Sequence, residues 1–302
     1  MEEPKINPYL VLTLGVLSVS ASAIFVKLCT APSGIIAFYR LFFTVIFMLP
    51  LFLKKQHMRE MRLITKKDWL FSAVAGILLA FHFILWFESL NYTSVASSTV
   101  LVTLQPIFAF VGTFIFFKEK LSFKAISSGI IAVAGSVVIS WGDFHISGTA
   151  LFGDFLALVA CAFVTGYLLL GQTVRKRISL ITYTFIVYFM STITLFIYAL
   201  AAKESIIPRQ ASDWIYFVLL ALFPNLLGHS LFNWTIKWLS ASTISMAILF
   251  EPVGATILAY LLLNERVVWS QILGGLIVIA GILLFVIDDR KLKIKAEIKS
   301  QT

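Results

Sequence analysis

The residues of this chain whose types could do chemistry are the few polar and ionisable ones set inside long apolar runs. An ionisable group deep in a bilayer is costly unless partnered, so each such group marks a candidate site. Of the fifteen acids, only Glu88 and Glu251 lie well inside apolar runs, and Lys27, Arg40, His82 and His229 complete the set. Glu251 stands directly before Pro252, and Gln105 stands directly before Pro106. Proline removes an amide donor and bends a helix, and broken backbone at membrane depth persists only where protein or a wet cavity satisfies it. Gln105 and Glu251 are therefore expected to flank a central cavity at matching depths. There Glu251 can meet an ammonium group or carry a proton. Its bland alternative is a protonated or hydrogen-bonded packing residue.

Two polar stripes accompany this pair. Asn225, His229 and Asn233 recur every four residues, on one helical face, and His82, Trp86 and Ser89 recur at similar spacing. The two faces are expected to look at each other across the cavity. A histidine there can bind a solute or relay protons, because its pKa lies near neutral; otherwise it hydrogen-bonds between helices. Trp86, Phe110, Trp234 and Phe250 are candidate wall aromatics, against the alternative of simple packing in a chain with 28 Phe. Lys27, Arg40 and Glu88 fall toward the outer ends of the first three apolar runs. They read either as a buried ion-pair cluster or, for Arg40 and Lys27, as holders of a carboxylate. Glu119 and Glu265 each sit beside a base and read as structural caps at the membrane surface. Ser128, Ala132 and Ser136, with Gly274 and Gly281, form small-residue faces suited to close helix packing or dimer contact.

The elements that must position these residues follow from composition. The chain is 60% apolar and 13% charged over 302 residues, against roughly 25% charge in an ordinary soluble domain. A bilayer core of about 30 Å needs about 20 apolar helical residues, and ten such runs occur: 8–28, 33–53, 69–90, 95–117, 122–141, 150–173, 179–201, 213–235, 241–263 and 267–287. The first is expected to be an uncleaved span, since no basic leader precedes it and no small-residue cleavage site follows. Ten spans put both termini on one side. If that side is the cytoplasm, 19 of the 24 basic residues fall on inner segments, chiefly 54–67, 118–124, 175–177 and the tail 290–299; Lys27, Arg40, Lys203, Arg209 and Arg266 are the rest. This split fits the positive-inside rule and both the orientation and the count of ten.

Displaced by 146 positions, the chain matches itself: Ser94 falls on Ser240, Pro106 on Pro252, Glu119 on Glu265, Gly129 on Gly275 and Gly135 on Gly281. Shared Pro, Glu and Gly in order carry more weight than shared Leu, which any two apolar helices have. Five spans per half is an odd number, so the second half enters the membrane from the opposite side, as in the inverted repeats of secondary transporters. The fold expected is all-α and polytopic, ten transmembrane helices as two inverted five-helix repeats at 8–141 and 150–288, with a basic cytoplasmic tail at 289–302.

The motifs Phe-Val-Lys (25–27), Phe-Tyr-Arg (38–40), Asn-Tyr-Thr-Ser-Val-Ala (91–96), Gln-Pro-Ile (105–107), Phe-Glu-Pro-Val (250–253) and Gly-Gly-Leu-Ile-Val-Ile-Ala-Gly (274–281) resemble the two-domain EamA family of the drug/metabolite transporter superfamily, over about residues 8–288. Two departures stand out. Lys118 and Asn264 occupy the place before the loop glutamate where the family usually has Gly, and Arg40 has no basic partner at its repeat equivalent Ile186. The resemblance implies transport of amino acids, their derivatives or drug-like compounds. With the repeat, it points to a secondary carrier exporting a small amphipathic metabolite across the plasma membrane; a channel or passive facilitator is the alternative. The expected partners are that solute, membrane lipid and a proton or other coupling ion, with the chain a monomer or homodimer. No phosphate loop, metal cluster or nucleophile–base spacing occurs, and Cys29 and Cys161 make neither a metal motif nor a disulfide framework. No enzyme activity, cofactor, metal or nucleic acid is therefore expected.

Overall fold

The computed structural model describes residues 4, 6–93, 95–119, 121–139, 141, 148–263 and 267–301. Ser94, Lys120, Asn264, Glu265 and Arg266, each named above, lie outside the described residues. The described residues form fifteen α-helices and one π-helix: α1 (Pro8–Ser20), α2 (Ser22–Leu28), α3 (Ser33–Phe52), α4 (Lys55–Leu63), α5 (Lys66–Ser89), α6 (Val95–Val102), α7 (Gln105–Phe117), α8 (Phe123–Ile139), α9 (Gly148–Val174), α10 (Leu180–Ala201), α11 (Asp213–Leu220), the π-helix (Ala221–His229), α12 (Ser230–Thr235), α13 (Ala241–Ile248), α14 (Glu251–Leu263) and α15 (Trp269–Gln301). Among the described residues, nine helical segments are long and apolar enough to cross a membrane, and Phe123–Ile139 is a shorter apolar tenth. At 1.5 Å per residue this fifth span reaches about 25 Å, near the lower limit for crossing.

Four spans are built from more than one helix, and the cause is local. Pro106 has no amide to offer the carbonyl of Val102, and Pro252 none for Ile248; α6 and α13 end at those two residues. The chain turns once and restarts as α7 and α14, with Gln105 and Glu251 as their first residues. In the eighth span Pro224 lies inside the π-helix, where the Ser230 amide donates to the Asn225 carbonyl five residues back. The first span is interrupted at Ala21. Helix breaks of this kind cluster at functional sites.

The spans pair as a two-fold pseudosymmetric set. The third span (α5) packs on the sixth (α9), and the first (α1) on the eighth (π-helix and α12). The fourth span contacts the sixth, and the ninth contacts the first; the third contacts the seventh (α10), and the eighth contacts the second (α3). The second packs on the seventh, the fifth (α8) on the tenth (α15), and the fourth on the ninth. Exchanging each span with the one five places on returns the same list. The molecule is thus two repeats of opposite sense around a shared axis.

The small-residue faces meet within the chain. A methyl group on Gly135 would lie 2.7 Å from the Val278 nitrogen and 2.8 Å from the Gly274 carbonyl oxygen, and one on Gly281 would lie 2.7 Å from the Ala132 nitrogen. Backbone contact this close between α8 and α15 requires glycine. Large apolar side chains such as Leu14, Phe116, Ile130, Leu261 and Leu276 face outward, the surface expected of helices bathed in lipid. Arg40, Tyr167, Tyr183, Tyr188, Phe83 and Phe232 are fully buried.

Candidate functional site

One cavity lies at the meeting point of the two repeats. Its wall includes Ser22, Arg40, His82, Trp86 and Gln105 from the first repeat and Tyr167, His229, Phe232 and Glu251 from the second. Its volume is about 20 Å³, room for a single water molecule and no more. The structure therefore describes an arrangement closed around its centre.

Arg40 is held by three elements. Its Nε donates to Asn225 Oδ1 at 2.6 Å and its Nη1 to Ser22 Oγ at 2.9 Å. Its guanidinium carbon lies 4.1 Å from the centre of the Phe83 ring, a cation–π distance. Asn225 is itself fixed by donating to Thr44 Oγ1 at 3.2 Å, and Thr44 donates back to the Arg40 carbonyl at 2.7 Å. The interruption at Ala21 presents Ser22, and the π-helix presents Asn225, so both helix defects serve the same cation. Glu251 lies within electrostatic reach of Arg40. A buried guanidinium and a buried carboxyl group thus line one cavity from opposite repeats.

Three residues of this wall also carry a buried polar atom with no hydrogen-bond partner among the described residues: Trp86 Nε1, Gln105 Oε1 and His229 Nδ1. Their residues are 3%, 4% and 7% exposed, and Glu251 is 8% exposed, so water outside the protein does not satisfy them. A buried orphan donor or acceptor costs about 1–3 kcal/mol, and three on residues that line one cavity favour a polar occupant there. His82 differs. Its Nδ1 lies 3.1 Å from the Ala160 carbonyl oxygen, which can only accept, so this nitrogen carries the hydrogen of that bond. The His82 ring stacks on Trp86 with centroids 5.8 Å apart and lies 6.5 Å from the His229 ring.

Gln105, Glu251, His82, Trp86, His229 and Arg40 thus converge, and the two stripes meet at the two histidines. Asn225 and Asn233 do not line the cavity. Asn225 orients Arg40, and Asn233 donates to Tyr167 Oη and, at 2.8 Å, to the His229 carbonyl. Ser89 turns away to Ser98 and the Trp86 carbonyl. Lys27 is exposed at the end of α2, and Glu88 accepts from Asn91 at 3.1 Å near the surface; neither shares Arg40's buried setting. Phe110 stacks on Phe285, Trp234 packs on Trp238, and Phe250 packs on the main core. Tyr167, Ser22 and Phe232 line the cavity without having been singled out from sequence. For Tyr167 a signal existed, since Tyr167, Tyr183 and Tyr188 bring hydroxyls into otherwise apolar spans.

Paired five-helix repeats around a polar cavity between them are the architecture of a membrane transporter. The chain belongs to the EamA-like transporter family, whose model matches it twice, at residues 7–141 and 151–287. It is similar to the uncharacterized transporter YxxF of Bacillus subtilis, 28% identical over 224 residues that cover 73% of this chain and 70% of that one. It is also similar to an uncharacterized transporter of Clostridium kluyveri, 26% identical over 255 residues covering 82% and 81% of the two chains. A crystal structure of a protein 17% identical in sequence superimposes with a TM-score of 0.76 over 94% of this chain and 98% of that one, which shows a common fold. The protein is accordingly a multi-pass membrane transporter.

Proposed function

We propose that this chain is a secondary transporter that exports a small amphipathic metabolite, such as an amino acid, an amino-acid derivative or a drug-like compound, by alternating access across the plasma membrane. Its repeats are residues 8–141 and 150–288, and its termini and the tail 289–302 face the cytoplasm. The observation that carries the reading is that Trp86, Gln105 and His229, each with a buried polar atom lacking a partner among the described residues, line one cavity together with Arg40 and Glu251. In this reading the orphan atoms bind the polar part of the solute, and Phe232, Val19 and Ile248 on the same wall meet its apolar part. Glu251 binds an ammonium group or exchanges a proton, and Arg40 supplies the fixed positive charge. A cavity that holds one water argues against a standing channel.

The test is purified protein in vesicles, loaded with a panel of amino acids and cationic dyes, with and without a proton gradient. Saturable flux with counterflow is expected for at least one compound class. Linear flux without counterflow would replace the carrier with a channel. Where transport follows the proton gradient, Glu251→Gln should abolish that dependence, and His229→Ala should weaken solute affinity while the protein still folds. Proton dependence retained in the first variant removes Glu251 from the coupling role.

A further inference from the structure

The fourth and ninth spans are both broken, and they cross. Their halves meet twice: α7 with α13 on the cationic face of the molecule, and α6 with α14 on the other. These contacts are equivalent under the repeat, yet their chemistry differs. Thr113 Oγ1 of α7 and Ser242 Oγ of α13 are hydrogen-bonded at 2.8 Å. Beside them, Gln172 of α9 uses both ends of its amide. Its Nε2 donates to Glu119 Oε1 at 2.8 Å, just past α7, and its Oε1 accepts from the Ala241 amide at 2.7 Å, at the start of α13. Gln172 is 4% exposed. The positions that correspond to Thr113, Gln172 and Ser242 in the other repeat are Ala259, Val26 and Ala96, none of which can hydrogen-bond through its side chain. The fold is two-fold, and among the described residues this tie is found at one end only.

We infer that Gln172, with the Thr113–Ser242 pair, is the latch of an inner gate, and that α7 and α13 are its two leaves. The leaves pivot where their spans are already broken, at residues 103–104 and 249–250, beside Gln105 and Glu251. A solute-driven change at those two residues would then be felt at the far ends of the same half-helices. Opening requires a few buried hydrogen bonds to break, so the latch is strong enough to close the path and weak enough to cycle. The inference rests on alternating access as proposed above, and its test needs no solute, so the two can fail separately.

The experiment places a reporter cysteine at Val164, on the cavity wall, in a chain with Cys29→Ser and Cys161→Ala, and follows its modification by a membrane-impermeant maleimide added to the bulk around inverted vesicles, which meets the cytoplasmic face. In the single-reporter chain, slow labelling is expected. Adding Thr113→Cys and Ser242→Cys and oxidising them should stop that labelling, and reduction should restore it. Gln172→Ala should speed it about tenfold, the scale of losing two buried hydrogen bonds. Labelling from the inner face that continues in the cross-linked protein overturns the gate, as does a rate that Gln172→Ala leaves unchanged. A pair that cannot be cross-linked shows that the leaves do not meet there, with the same consequence.

Discussion

At the scale of single residues, the site is defined by what its polar atoms lack. Trp86 offers a clean probe, because its indole nitrogen has no partner among the described residues while its ring stacks on His82. Trp86→Phe keeps an aromatic ring and deletes the N–H. If that N–H serves a solute, affinity should fall by up to about tenfold, the value of one hydrogen bond. Thermal stability should change little, because relief of an unsatisfied donor offsets lost packing. Transport kinetics and a melting curve on the same preparation separate these outcomes, and unchanged affinity would assign Trp86 to packing alone. The convergence of six residues was legible in the sequence because apolar context, proline and the repeat each fix depth along a span. Azimuth was less legible. Lys27 and Glu88 share the second span's neighbourhood in sequence terms, yet Arg40 points inward to Ser22 and Asn225 while those two lie nearer the surface. Asn225 and Asn233 fell on the right face, but the sequence gives no sign that Arg40 and Tyr167 would engage them first.

At the scale of elements, most spans and both proline breaks could be read in advance, whereas the π-turn around Pro224 could not, since a proline announces a defect without stating its form. The departure at Lys118 is now intelligible. Lys118 closes α7 in the left-handed region at φ 56°, its amide bonded to the Phe114 carbonyl and the Glu119 amide to that of Thr113. Glycine adopts this conformation freely and other residues do so at a cost of about 1 kcal/mol. Lys118→Gly should therefore raise stability by about that amount, seen as a melting temperature about 2–3 °C higher; a lower one would show that the lysine side chain contributes more than its backbone costs. The amphipathic connector α4 makes a second prediction. Glu60 accepts from the Ser179 amide at 2.7 Å and from the Ser179 and Thr182 hydroxyls, so α4 is fastened to the start of α10. Partial burial pushes the Glu60 carboxyl up, but these hydrogen bonds and nearby His57 outweigh it and hold it below the ordinary value of 4.5. A carboxyl depressed in the folded state contributes stability that is complete above the ordinary value and is lost as pH falls through the depressed one. Hydrogen exchange of the α4 amides should thus be flat from neutral pH down to about 5 and faster below 4.5, once corrected for intrinsic rates. Glu60→Gln should remove that step.

At the scale of the whole molecule, everything turns on two halves of opposite sense. The repeat was visible because Pro, Glu and Gly recur in order at one displacement. Its meaning was visible because five is odd, and the paired contacts of the ten spans bear out the symmetry. The distribution of charge supports the orientation proposed above. On the face where α4 docks, Arg177 pairs with Asp68, Arg175 donates to the carbonyls of Asn233 and Ile178, and Lys176 lies 5.8 Å from the Phe117 ring. Several cations of this face are therefore tied to the ends of spans, which makes the charge asymmetry part of the fold; in the orientation proposed above it would also serve as an insertion signal. Reversing the molecule would carry these groups, with the six bases of 54–67, across the bilayer against the positive-inside bias. Tags at residue 1 and residue 302 should accordingly both be reached by protease or antibody only from the cytoplasmic side, and a tag in the segment 202–212 only from outside. Removing α8 and its connection, which leaves an odd number of spans, should move the C-terminal tag to the other side or prevent insertion. Finding residue 1 and residue 302 in different compartments would break the even count, and with it the opposed halves, the shared cavity and the gate built on them.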